Sequence, residues 1–249
     1  MINIVIPMAG SSSLASELEE HYPSPLVEIA GAPLIQLVLE NLSELGDELS
    51  CTVIMQDSDA KKFHLDSTIK MLSTSKTNIV KLQKDTAGAL CSILMAVEHF
   101  RDSSPMVICN WDQLFDKDVL HNFIRKAIAS NAGAAMLTFK SVHPRWCYVR
   151  ATDGVIEEAV EKNPVSNQAV AGVYFFKSGE LFSELAMKAI INGRDVDGRF
   201  YTSSVINEYI LKGKTVLAVD VANSKYHSLY TGRRLREYEK LYNDRLTSR

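Results

Sequence analysis

From Ile2 to Phe139 short apolar runs of strand length alternate with longer segments of helical period, and that rhythm leaves few folds open. The strand-length runs are Ile2 to Pro7, Cys51 to Gln56, Asn78 to Leu82, Met106 to Cys109 and Ala134 to Phe139. Between them, Leu34 to Leu45, Ala60 to Leu72, Ala89 to Phe100 and Val119 to Ala129 place apolar residues three or four apart, as a helix with one buried face requires. A parallel pair needs a crossover of about a dozen residues, so strands alternating with helices are the signature of a largely parallel sheet. The expectation is an α/β fold with a doubly wound, mostly parallel central sheet.

After Ser141 the rhythm changes. Trp146 to Ala151, Gly154 to Glu161 and Val170 to Phe176 follow one another as strands, with a turn at Asp153-Gly154, so a small antiparallel β insert is expected here. Helical spacing returns at Gly179 to Ile191, Thr202 to Leu211 and Gly232 to Leu246, with a strand at Thr215 to Val219 before the last. The apolar positions Leu235, Tyr238 and Leu241 either cover the sheet or form a subunit contact in a homo-oligomer.

The chain is long enough to bury a substantial core, and one principal domain over residues 1–249 is expected. Its formal charge of -3 gives no electrostatic reason to expect a nucleic-acid or anionic-membrane partner. Cys51, Cys91, Cys109 and Cys147 are widely spaced and mostly inside apolar runs, which suits reduced core thiols and a cytoplasmic location. No apolar stretch is long enough to span a bilayer, and the first residues read as a strand rather than a signal sequence.

The first apolar run ends in Ala9-Gly10, followed by Ser11-Ser12-Ser13-Leu14 and then Pro23-Ser24-Pro25-Leu26. A glycine at the end of a first strand lets successive amide N–H groups face an anion, so a phosphate-binding turn is expected there.

In order and spacing these segments resemble the sugar-1-phosphate nucleotidyltransferase family, over almost the whole chain. Ile6-Pro7-Met8-Ala9-Gly10 and Pro23-Ser24-Pro25-Leu26-Val27-Glu28 are similar to the family's opening loop, and Gly31-Ala32-Pro33-Leu34-Ile35 to the entry of its first helix. Thr86-Ala87-Gly88-Ala89 resembles the turn that contacts the nucleobase, and Asn110-Trp111-Asp112-Gln113 the strand-end aspartate motif. Glu161-Lys162-Asn163-Pro164, Ala171-Gly172-Val173-Tyr174-Phe175-Phe176 and Gly198-Arg199-Phe200-Tyr201 resemble the sugar-site strands and the loop behind them.

The resemblance implies a Rossmann-like nucleotidyltransferase fold, with residues 1–140 as a nucleotide-binding half and 141–249 as a sugar-binding half. It implies nucleotidyl transfer from a nucleoside triphosphate to a sugar phosphate or similar small phosphate, with pyrophosphate released. Ala9, Gly10, Ser11, Ser12 and Ser13 would cradle phosphates, Gln83 and Thr86 would offer polar edges to the base, and Gly88 would let it approach the backbone. Asp112 would be the Mg²⁺ ligand and, with Lys162, a catalytic residue; such an ion takes few carboxylates and keeps phosphate oxygens and water. Lys162 would face the sugar's phosphate and Glu161 a sugar hydroxyl, with Gly172 and Tyr174 bordering the ring.

Each assignment has a plainer counterpart. Asp112 and Thr86 also suit helix caps, Glu161 and Lys162 a solvated charge pair, and Gly172 a bulge. His143-Pro144-Arg145-Trp146 offers either a cation and an aromatic face to a ligand or a polar hairpin end around a partly buried Trp.

The sequence departs from the family at its cations. The usual arginine after the glycine-rich turn is Leu14, the usual lysine between the prolines is Ser24, and Arg199 stands where an acid usually precedes Phe-Tyr. His227-Ser228-Leu229-Tyr230-Thr231-Gly232 replaces a turn that usually carries an acidic residue. One lost preorganised charge typically costs about a hundredfold to a thousandfold in rate. Arg145, Arg194 and Arg199 are the candidate replacements. The alternative function is a weakened or inactive relative that binds a nucleotide or nucleotide sugar in a regulatory or scaffold role. A further alternative is a glycosyltransferase with a related nucleotide-binding sheet, which the absence of neighbouring aspartates at Asp112 disfavours.

Overall fold

The computed structural model describes residues 1–10, 23–46 and 48–247. Ser11, Ser12, Ser13 and Leu14 lie outside the described residues.

The chain opens with β1 (Ile2–Pro7), whose residues Ile4 to Ile6 are buried on both faces, the state a central strand of an α/β sheet reaches. A short hairpin, β2 (Glu28–Ile29) and β3 (Ala32–Pro33), leads into α1 (Leu34–Ser43). Next come β4 (Leu49–Gln56), α2 (Asp57–Phe63), α3 (Leu65–Leu72), β5 (Lys76–Leu82), α4 (Ala89–Leu94) and β6 (Met106–Cys109). The helix expected over Ala60 to Leu72 is two helices, because His64 takes a left-handed conformation (φ 53°) between them. Likewise the helix begun at Ala89 stops at Leu94, and a 3₁₀ turn at Val97–His99 carries the chain to Phe100.

The second part contains β7 (Gln113–Phe115), α5 (Val119–Ala129), β8 (Ala134–Lys140), β9 (Cys147–Thr152), β10 (Val155–Glu161) and β11 (Gln168–Phe176). It ends with α6 (Gly179–Ile191), α7 (Ser204–Leu211), β12 (Val216–Asp220), β13 (Tyr226–Ser228) and α8 (Gly232–Thr247). The turn at Asp153-Gly154 has positive φ at both residues, the geometry that lets a two-residue hairpin follow strand twist.

One nine-stranded sheet runs in the order β5-β4-β1-β6-β11-β8-β12-β10-β9. The β5-β4-β1-β6 side is parallel, β11 is antiparallel to both β6 and β8, and the β9–β10 hairpin continues the sheet at its far edge. The sheet is therefore mixed, with the antiparallel insert hydrogen-bonded into it through β12 and β11. Alternating side chains feed two cores. Ile4, Ile6, Val53, Leu137 and Phe175 face one side with α1 and α5, whereas Val5, Ile54, Met136 and Phe176 face the other with α4, α6 and α7.

The order in which strands are added reverses between β1 and β6, which stay parallel. From β1 the chain proceeds outward through β4 to β5, then returns to place β6 on β1's other side, in register at Asn3↔Met106 and Val5↔Ile108. In open sheets a crevice opens outside the strand ends at such a switch point. The two predicted stretches at Ala9-Gly10 and Asn110 to Asp112 leave neighbouring strands there.

Candidate active site

The predicted residues gather where the carboxyl ends of β1, β4, β5 and β6 meet, with β11 hydrogen-bonded beside β6, at the strand ends where a switch-point crevice is expected. On the β1 side the loop is tied down by its neighbours. Met8 N–H donates to Ile54 O at 2.8 Å, and Gln56 Nε2 donates both to Ala9 O (2.8 Å) and to Asp85 Oδ1 (2.9 Å). Gln56 thus clamps the opening turn to the segment that carries the predicted base contacts. Ala9 is buried and Gly10 is exposed at the mouth. Ser24, standing at the family's lysine position, is 4 % exposed, and its Oγ has no hydrogen-bond partner among the described residues.

Gln83 is exposed and hydrogen-bonds the Asp57 carboxylate. Thr86 Oγ1 reaches Gly88 O at 3.0 Å and Ser92 Oγ at 2.6 Å, so it braces the turn without capping an N–H of α4. Gly88 has φ +112°, and a Cβ there would press on the Phe200 carbonyl oxygen. Phe200 N–H donates to Ala87 O (2.7 Å) and Leu90 N–H to Phe200 O (3.1 Å). On that face, therefore, the close approach permitted by glycine is made by the chain's own backbone.

At the end of β6, Asn110 N–H donates to Gly172 O at 3.0 Å. Gly172 lies in a bulge where β11 passes from Val170↔Thr138 to Tyr174↔Met136, with φ +65° and Asn110 and Gln113 where a Cβ would stand. The bulge brings β11 against the aspartate motif. Asp112 is half-buried; burial pushes its carboxyl above the ordinary range, and the Arg145 guanidinium pulls it partly back. Its main-chain oxygen accepts from Leu229 N–H at 2.8 Å, which draws the β13–α8 junction to the site.

Glu161 and Tyr174, both predicted at the sugar site, come together with Cys147. Ser203 Oγ donates to Glu161 Oε2 at 2.6 Å; burial raises the Glu161 carboxyl, while Ser203, Lys162 and Cys147 oppose the rise. Tyr174 is buried and its phenol is held well above its ordinary range by desolvation, then by Cys147 and Glu161. Lys162 has φ 57°, is held by a hydrogen bond to Tyr201 that raises its ammonium pKa, and lies 3.8 Å from Asp197. Its backbone N–H donates to Trp146 O at 3.0 Å.

Of the three candidate replacement cations, Arg194 is paired with Glu208 at 3.1 Å and Arg199 is exposed on the loop behind α4. Arg145 alone of the three has an electrostatic effect on Asp112. Its guanidinium carbon lies 3.2 Å from the Tyr230 ring centroid and 4.8 Å from that of Trp146. Sequence reasoning named Arg145 but did not connect it with Asp112, since the link runs through Tyr230 in the β13–α8 turn.

A separate cavity of about 670 Å³ lies under α8, lined by Phe139, Trp146, Tyr226, Tyr230, Tyr238 and Arg245 among others. None of the described residues assigned a nucleotide, sugar or metal role lines it, but His143 and Trp146 of the motif weighed as a ligand face do. Among the described residues no group of three or more His, Cys, Asp or Glu side chains is arranged to hold a metal, and no helix is long and apolar enough to cross a membrane.

An aspartate just past one strand and a tethered glycine turn past its neighbour, at a switch point of a mixed sheet, define an α/β protein of the nucleotide-fold class. The family model described as nucleotidyl transferase matches residues 5–220, and the chain belongs to that family. Among curated proteins it is similar to the bifunctional protein GlmU of Geobacillus sp. strain WCH70 (23 % identical over 230 residues, 88 % of this chain and 47 % of that protein). It is also similar to GlmU of Staphylococcus epidermidis (22 % over 199 residues, 76 % of this chain and 41 % of that protein). The chain thus spans less than half the length of these relatives. Its fold matches the nucleoside-diphosphate-sugar pyrophosphorylase of Vibrio cholerae RC9 with a TM-score of 0.80 at 18 % identity, over 95 % of this chain and 99 % of that one. It also matches the UTP-bound UGPase of Acinetobacter baumannii with a TM-score of 0.72 at 17 % identity, over 97 % and 93 % of the two chains.

Proposed function

We propose that the crevice binds a nucleoside triphosphate and a sugar phosphate or similar small phosphate, and that the chain transfers the nucleotidyl group with release of pyrophosphate. One observation carries this reading: the β1 turn and the Asp112 motif end adjacent, paired strands, with the Glu161–Tyr174 group and Lys162 following from β10 and β11. In this reading residues 1–140 hold the nucleotide and 141–249 the sugar.

The reaction is in-line attack of a sugar-phosphate oxygen on the α-phosphorus, with pyrophosphate leaving. It forms no bond to the protein, so the residues act by positioning and by charge. The Ala9-Gly10 amides would orient phosphate oxygens, Gly172 and Tyr174 would shape the sugar pocket, Glu161 would accept from a hydroxyl, and Lys162 would face the sugar's phosphate. A divalent ion, with Mg²⁺ as the candidate, fits the half-buried Asp112 carboxylate, because such an ion takes one or two protein carboxylates and leaves its other positions to phosphate oxygens and water. When bound it would neutralise charge on those oxygens. The UTP-bound neighbour supports a nucleotide ligand.

Ser24 supports a second reading, a nucleotide or nucleotide-sugar binder with weakened turnover, because a small buried hydroxyl stands where the family's lysine would meet phosphate. The test is pyrophosphate release by the purified protein with Mg²⁺, a panel of triphosphates and a panel of sugar 1-phosphates. Release establishes the transferase; silence with measurable nucleotide binding selects the second reading; silence without binding removes both.

A further inference from the structure

We infer that Arg145 is a further phosphate-binding cation of this crevice, joining Lys162 on the phosphate attached to the sugar of a sugar phosphate or nucleotide sugar beside Asp112. The inference rests on the ligand class proposed above.

The first support is where positive charge is missing. No Lys or Arg precedes Lys61, so the β1 turn, the β2–β3 hairpin and α1 contribute no cationic side chain, whereas Glu17, Glu19, Glu20 and Glu28 all carry negative charge. A phosphate entering the crevice must find its side-chain counter-charge on the later elements. There, Arg194 is committed to Glu208, and Lys162 is shared with Tyr201 and Asp197.

The second support is how Arg145 is held. The guanidinium carbon lies over the Tyr230 ring, 3.2 Å from its centroid, with the Trp146 ring standing perpendicular to Tyr230 and its centroid 4.8 Å away. These rings are themselves fixed: Trp146 stands edge-on to Phe139 at 5.3 Å and to Tyr230 at 5.9 Å, and Phe139 packs on Tyr226 at 4.6 Å. Tyr230 follows Leu229, whose N–H is bonded to the Asp112 carbonyl, so the stack is anchored to the aspartate motif itself. A guanidinium stacked on one aromatic ring keeps in-plane N–H donors for oxygen acceptors, and Arg145 forms no direct ion pair among the described residues. The Trp146 carbonyl also holds the Lys162 backbone, which sets Arg145 beside the strand end that carries the predicted sugar residues. A pinned planar fork recognises phosphate without first losing side-chain freedom.

The experiment is calorimetric titration of wild type, Arg145→Ala and Arg145→Lys with a panel of nucleotide sugars and sugar 1-phosphates, each in Mg²⁺ and in EDTA. The expected result is measurable wild-type binding in both buffers, a loss of about ten- to a hundredfold in R145A, and a partial loss in R145K, which keeps the charge but not the fork. R145A or R145K binding as wild type does, with an unchanged unfolding midpoint, overturns the inference and leaves the ligand class standing. Binding that vanishes in EDTA also overturns it. No wild-type binding to any panel member removes the proposed ligand class, and the inference with it. If R145A does not fold, R145K decides alone.

Discussion

Replacing Gly88 with Ala tests how the predicted base-contact turn is built. Gly88 sits at φ +112° and ψ 173°, a region open essentially only to glycine, and holding another residue there costs about 1–3 kcal/mol. The added methyl would also meet the Phe200 carbonyl oxygen and lie 2.8 Å from its nitrogen. These are backbone atoms, locked by the Phe200 N–H to Ala87 O and Leu90 N–H to Phe200 O bonds, so relief requires moving the loop before α7 away from α4. Overpacking of that kind costs about 1–3 kcal/mol, which brings the total to roughly 2–6 kcal/mol. Gly198→Ala is the matched control: φ is +72°, nothing lies within 4 Å of the new atom, and only a left-handed backbone cost of about 1–2 kcal/mol applies. Urea unfolding of both variants, compared at equal m-values, measures the difference. If G88A unfolds at the same midpoint as G198A, the contact with Phe200 is not what requires glycine, and a free face open to a base becomes the better explanation.

Asp116 holds β13 through His227 (2.9 Å) and α8 through Arg245 (2.8 Å); burial raises its carboxyl, but these partners outweigh it and leave it below the ordinary range. Its contribution is therefore present above the ordinary carboxylate pKa and disappears as pH falls through the lowered value. D116N should loosen α8 by about 1–3 kcal/mol, read as faster amide exchange confined to that helix. Glu161 has the opposite sign: its raised carboxyl favours the protonated form in the folded state, so stability should fall as pH rises from the ordinary range through the raised value. E161Q should flatten that part of the stability-pH curve; an unchanged curve would refute the assignment. Ser24→Ala removes a buried hydroxyl that has no partner among the described residues and should leave the unfolding free energy unchanged or raise it by about 1 kcal/mol, a loss counting against the burial described. Asp112→Asn should weaken Mg²⁺-dependent nucleotide binding at least tenfold, and equal affinities would end its proposed role.

The central strands were legible because burial on both faces makes them apolar without interruption. β1 and β6 fall on the expected residues, and the Asp153-Gly154 turn announced its hairpin. What periodicity missed were short pairings fixed by distant partners. β7 and β13 have three residues each and exist because they pair across the chain, Tyr226 with Phe115 and His227 with Leu114. The break at His64 was invisible for another reason, since the apolar spacing continues through a residue whose backbone has turned left-handed. At the site, Asp112 and the Glu161–Tyr174 group were readable as strand-end motifs. The stacking of Arg145 on Tyr230 was not, because β13 and the turn after it bring that ring to the aspartate.

Gln56 couples the two rims of the crevice. One amide group serves both Ala9 O and Asp85 Oδ1, so a ligand that draws the first turn inward must either drag the loop after β5 with it or surrender a bond. The first turn and the loop after β5 are thereby geared together through a single amide group.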